Sequence, residues 1–216
     1  MLKDIFYYYN QSLLKILGFT ILVILPVQIF LYGWIYYFNQ LDLNRIETVL
    51  ALYVYVLMFI LTMKPFLELY KHLKINEDYS LKSMLKTFIS SFGFVFFGSM
   101  IIFLLSYIGT TLFIIPGLIL LTIAFFLPFY NFGEENIKLL AKKAVHFYKN
   151  RFFSIHRDVI LLASINLLVW ALFVNGIAQF DMNLITYTIL RILINLFIFP
   201  LIYFYLAERY EDVAEV

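Results

Sequence analysis

From Thr87 to Gly133 the chain runs for 47 residues without an Asp, Glu, Lys, Arg or His. A single helix of that length would extend about 70 Å at 1.5 Å per residue. The hydrocarbon core of a bilayer is only ~30 Å thick and takes roughly 20 helical residues to cross. The run is too long for one span and has the length of two. Lysines stand on both sides of it, Lys82 and Lys86 before and Lys138, Lys142 and Lys143 after. Short basic loops belong on the cytoplasmic side, so the run is expected to leave that side and return to it. Its midpoint is Thr110, bracketed by Gly109 and by Ile115-Pro116-Gly117, both turn signals. The stretch "YIGTTLFIIPG" is therefore expected to form a tight external hairpin between a third and a fourth membrane helix. No charged loop is required there, because few backbone groups stay open and neighbouring helices shield them.

Composition places the rest of the chain in the same solvent. Of 216 residues 63% are hydrophobic and only 14% charged, and the mean hydropathy is +0.89. Soluble chains sit near half apolar and a quarter charged, so too little polar surface is present to cover a soluble particle of this size. Aromatic residues make up 20%, which suits a protein with much headgroup-level surface. There is no cysteine, which excludes disulfides, thiolate metal sites and thiol nucleophiles. The N-terminal apolar run follows a polar-aromatic segment, is too long for a signal-peptide core and lacks a small-residue cleavage site, so it is not read as a cleavable signal.

Four further spans are expected: Leu17–Phe38, Ile46–Leu67 after a polar link at Asn39–Asn44, Val159–Ala178 and Leu184–Ala207. With the N-terminus inside, 14 of the 16 Lys and Arg residues fall on the cytoplasmic side, and only Arg45 and Arg191 fall outside. The expected fold is an all-α integral membrane protein of the plasma membrane. It has six transmembrane helices in three hairpins, each preceded by an amphipathic interfacial helix, and both termini are cytoplasmic.

The hairpins read as one unit used three times within a single membrane domain, residues 1–216, with repeats at about 1–70, 80–133 and 136–208. "LKDIFYYYNQSLLKILG", "LKSMLKTFISSFG" and "LLAKKAVHFYKNRFFSI" each enter an odd-numbered span, with lysines and bulky apolar residues at helical spacing. The even spans carry Pro65, Pro128 and Pro200 near their inner ends, each followed by an acid, Glu68, Glu134 and Glu208. A proline removes one backbone hydrogen bond and bends a helix, so Pro26, Pro65, Pro116, Pro128 and Pro200 are candidate hinges. Every unit starts inside, so the repeats are parallel and a pseudo-threefold arrangement is expected.

The ordered set "DIFYYYNQSLLKILG", Pro26, "SLKSMLKTF", "LFIIPGLIL", Glu134 and "NIKLLAKKAVHFYKNRFFSI" resembles a bacterial six-helix family. That family includes the membrane domain attached to some glycerophosphodiester phosphodiesterases and the related YciC-like proteins. The resemblance covers nearly the whole length and implies a fold more than an activity. In that family the phosphodiesterase chemistry resides in a separate soluble barrel, which these residues do not contain.

Ionisable groups within spans are the default functional pointers, and the chain offers few. Lys64 and Glu68 are placed for an i,i+4 pair at the inner mouth, either a lipid-phosphate patch or a snorkelling lysine with its partner. Arg191 is expected about one turn below the outer surface, with Asp181, Asp42 or Glu47 as available partners. It reads either as an anion contact opening outward or as a headgroup anchor. Gln28, Asn166 and Asn195 either line a polar path or hydrogen-bond across helices. His72, His146 and His156 lack metal-ligand spacing, and no HExxH, GxSxG or phosphate-binding glycine loop occurs.

The expectation is a non-enzymatic accessory or scaffold unit without a cofactor. It would engage membrane lipids, the anionic inner leaflet through its basic face, and another membrane protein or a second copy. Nucleic acid is not expected as a partner. The alternative is a small transporter or lipid-handling protein, with a polar path near Gln28, Asn166, Asn195 and Arg191. An interfacial lipid enzyme using His72 or His156 is the third reading.

Overall fold

Long apolar stretches with few glycines favour helix, and in the computed structural model every regular element among the described residues is helical. The structure describes residues 2–41, 46–112, 114–130, 137–177 and 183–210. In chain order the helices are α1 (Leu2–Gln11), α2 (Leu13–Phe19), α3 (Leu25–Gln40), α4 (Ile46–Ile60), α5 (Lys64–Lys74), α6 (Leu81–Leu112), α7 (Ile114–Phe126), α8 (Ile137–Ile177) and α9 (Leu184–Arg209). A π-helical segment, Thr20–Ile24, joins α2 to α3, and a 3₁₀ turn, Leu127–Phe129, ends α7.

Among the described residues five stretches are long and apolar enough to cross a membrane: Leu13–Gln40, Ile46–Lys74, Leu81–Thr111, Val145–Gly176 and Ile185–Arg209. This is a membrane protein by length and composition of its helices. A sixth apolar stretch, Ile115–Phe129, is shorter. It packs along α6 at a very close approach. Ser106 Oγ donates to the Gly117 carbonyl at 2.6 Å. A Cβ on Gly117 would lie 2.7 Å from the Thr110 amide nitrogen and 2.8 Å from the Ser106 carbonyl oxygen. Only glycine lets two helix backbones come this near.

The expected entry helices differ from one another. In the first unit α1 is a separate helix, ended at Ser12, whose hydroxyl bonds back to the Tyr8 carbonyl at 2.7 Å. In the second unit no separate entry helix forms: "LKSMLKTFISSFG" runs unbroken into α6, through Gly93. In the third, α8 is continuous from Ile137 but bends at Arg151, where the backbone leaves helical geometry.

The prolines also act differently. Pro65 follows a break at Leu61–Met63, where Phe59 loses its intrahelical donor. The Tyr203 hydroxyl fills that gap, donating to the Phe59 carbonyl at 2.6 Å with Thr62 Oγ1 3.1 Å away. Pro128 lies in the 3₁₀ turn, Pro26 and Pro116 lie in first turns, and Pro200 lies inside an unbroken α9. Pro200 thus ends no helix. The link after α5 is locally encoded. Asn76 takes a left-handed conformation (φ 57), Glu77 bonds back to His72 and Asn76 to Leu73, which is a Schellman ending. Ser80 then caps α6 through the Ser83 amide.

The core lies where α2, α4, α5 and α9 meet, around Phe19, Ile60, Phe66, Tyr70, Tyr203 and Phe204, all essentially inaccessible. Edge-on ring pairs knit it, such as Phe19 with Phe66 and Tyr70 with Phe204.

Candidate functional site

Helices α3, α4, α7, α8 and α9 line a half-open cavity of about 630 Å³. Four-residue spacing puts Asn166 and Trp170 on one face of α8, and Tyr187, Arg191 and Asn195 on one face of α9. All five line the cavity together with Tyr32 and Tyr55. Arg191 Nη2 donates to Asn166 Oδ1 at 2.6 Å, and the guanidinium lies over the Trp170 ring, 5.0 Å from its centroid. Asn195 Nδ2 makes two long contacts, 3.5 Å to the Tyr32 hydroxyl and 3.9 Å to Met58 Sδ. The far end is hydrocarbon and aromatic, with Phe59, Phe126, Phe199, Ile202 and Leu206.

Three polar atoms here are buried and lack a hydrogen-bond partner: Arg191 Nη1, Asn166 Nδ2 and Asn195 Oδ1. Arg191 is the one charged side chain among the described lining residues. Glu47 leaves Oε2 without a partner rather than pairing with Arg191, and Asp42 and Asp181 lie outside the described residues.

Of the residues singled out in the sequence, Arg191, Asn166 and Asn195 are brought together. Gln28 is fully buried with both amide ends unpartnered, but it does not line this cavity. Lys64 and Glu68 pair at 3.0 Å in a separate pocket of about 330 Å³ that also holds His72, Ser90, Ser91 and Tyr130. There the Tyr79 hydroxyl hydrogen-bonds Thr87, and burial pushes it above its ordinary value.

The histidines are engaged locally. His72 stacks on Tyr79 and contacts Glu77 at 2.8 Å. His156 Nε2 meets Tyr148 and Thr122 hydroxyls at 3.0 and 3.2 Å, and its Nδ1 is 2.8 Å from the Phe152 carbonyl.

Two features lie beyond the residues the sequence singles out. Trp170 is Arg191's platform, and its four-residue offset from Asn166 is the signal for it in the sequence. Asp158 is 2% exposed and accepts from Arg157 (3.0 Å), Arg209 (3.2 Å) and the Tyr210 hydroxyl (2.9 Å). It clamps α8 to the end of α9. Burial, reinforced by the Asp158 carboxylate, pushes the Tyr210 hydroxyl well above its ordinary value.

Comparison with family models, with curated proteins and with solved structures finds no match.

Proposed function

We propose that this is a non-enzymatic, multi-pass membrane protein that takes a membrane amphiphile into the cavity between α4, α8 and α9. The observation that carries the reading is the cavity itself. Its volume is that of a small-molecule site, its walls are mostly apolar, and a few polar groups converge at one end, the usual anatomy of a ligand pocket. Along α9 the lining runs from Tyr187 to Leu206, about 28 Å of helix, which suits an elongated guest.

The proposal includes six spans as three hairpins, cytoplasmic termini, and a plasma-membrane location. Those assignments rest on the basic residues flanking the spans. On that topology Arg191 stands in the outer half of the membrane and the Lys64 pocket at the inner mouth. Membership of the six-helix family described above belongs to the same proposal.

The test is chemical. Lipid would be extracted from the protein purified in mild detergent and compared with Ala163→Trp, which fills the cavity wall on α8. An amphiphile recovered near one per chain from the wild type and lost from the variant supports the reading. Equal recovery from both opposes it.

One observation favours the accessory reading beside it: no residue from 159 to 176 on α8 is buried. A partner helix docked there would co-purify at fixed stoichiometry and be lost when Leu168 and Leu172 become alanine.

A further inference from the structure

We infer that the guest is a single-chain acidic amphiphile, its carboxylate or phosphate held by Arg191 and Asn166 and its chain lying toward Phe126 and Leu206. The inference rests on the cavity reading and specifies its chemistry. Its starting point is a charge imbalance. Arg191 enters an aromatic-walled space inside an apolar helix bundle, where a cation is costly. Among the described residues no carboxylate pairs with it, and Asn166, its hydrogen-bond partner, is neutral. Trp170 offers the guanidinium a ring face, which offsets part of that cost but contributes no negative charge.

The open atoms specify the missing group. Arg191 Nη1 and Asn166 Nδ2 are both donors, both buried, and belong to two side chains already joined through Nη2 and Oδ1. Two donors on side chains joined to each other, one of them cationic, match an acid group with two acceptor oxygens, and such charge-assisted bonds are strongest away from water. An alcohol or ester would leave the cation uncompensated. Asn195, 3% exposed and one turn along α9, presents an unpartnered Oδ1. The remaining hydroxyl of a phosphate monoester or a hydroxyl of a glycerol head satisfies it while the anion stays on Arg191.

Size is consistent with one chain. At about 30 Å³ per small group, the share of one water in the liquid, 630 Å³ accommodates roughly 20 such groups, the size of one acyl chain with a compact head.

The test uses Trp170 as reporter. The chain has two tryptophans, so Trp34→Phe leaves Trp170 as the only one. The full-length protein in mild detergent is titrated with oleic acid, oleoyl lysophosphatidic acid, monoolein and oleyl alcohol, following Trp170 fluorescence. The expected result is saturable binding of at least one acid, ~10-fold tighter than the alcohol, the factor of one charge-assisted hydrogen bond. Whichever acid binds tighter distinguishes a carboxylate from a phosphate head. In Arg191→Gln the acid and the alcohol should come within about two-fold of each other, and Arg191→Lys should recover part of the gap. Equal binding of acid and alcohol by the unsubstituted site overturns the acidic head and leaves the cavity reading standing. If no amphiphile alters Trp170 and none copurifies, the cavity reading falls with it. The wild-type comparison of acid with alcohol needs no variant, so misfolding of Arg191→Gln cannot hide the answer.

Discussion

Asp158 concentrates the energetics of a single residue. Its carboxylate is buried and receives donors from two arginines and a tyrosine. Hydrogen bonds to a charged group contribute about 1.5–3 kcal/mol each, and the partial exposure of Arg157 and Arg209 discounts their share. Asp158→Ala should therefore lower unfolding stability in micelles by about 2 kcal/mol, with Tyr210→Phe costing less. A loss within error for Asp158→Ala would show that the clamp is ornamental.

The residues of the cavity were half legible. Arg191, Asn166 and Asn195 stand out because polar side chains within apolar runs are costly and few. Their meeting depends on the packing of α8 against α9, which no local pattern encodes. Gln28 carried the same signal as Asn166, yet α3 turns it away from the cavity. Asp158 was passed over because it stands at the charged edge of a span, where a carboxylate attracts no notice. Only the fold buries it.

At the scale of the element, the α6–α7 contact offers a paired test. A methyl group at Gly117 would overlap Thr110 and Ser106, whereas one at Gly33 meets nothing within 4 Å. Gly117→Ala should cost about 1–3 kcal/mol through overpacking, measured by thermal unfolding in detergent. Gly33→Ala should be neutral or slightly stabilising, since alanine is the better helix former. Equal effects would mean that the two helices do not approach this closely. The glycines of this contact stood out within "YIGTTLFIIPG" because turn residues lie at the midpoint of an over-long apolar run. The fusion of the second entry segment into α6 was not readable. Lysines with aromatics describe a helix at an interface and one that continues through it equally well.

In the molecule as a whole, topology decides which leaflet the binding site faces. The absence of cysteine makes the topology directly testable. Thr111→Cys should react with an impermeant thiol reagent from outside the cell, and Lys82→Cys only after the membrane is opened. The reverse pattern would invert the protein and move Arg191 to the inner leaflet. Membrane character was plain from the charge-free lengths alone. The cavity was not, because it forms between five helices that are separated in sequence and brought together by the aromatic core. The most direct measurement is native mass spectrometry of the intact protein released from mild detergent, wild type beside Ala163→Trp. The expected result is one retained amphiphile of a single-chain mass per wild-type chain and none on the variant. A bare wild-type chain, or the same adduct on both proteins, would rule the site out.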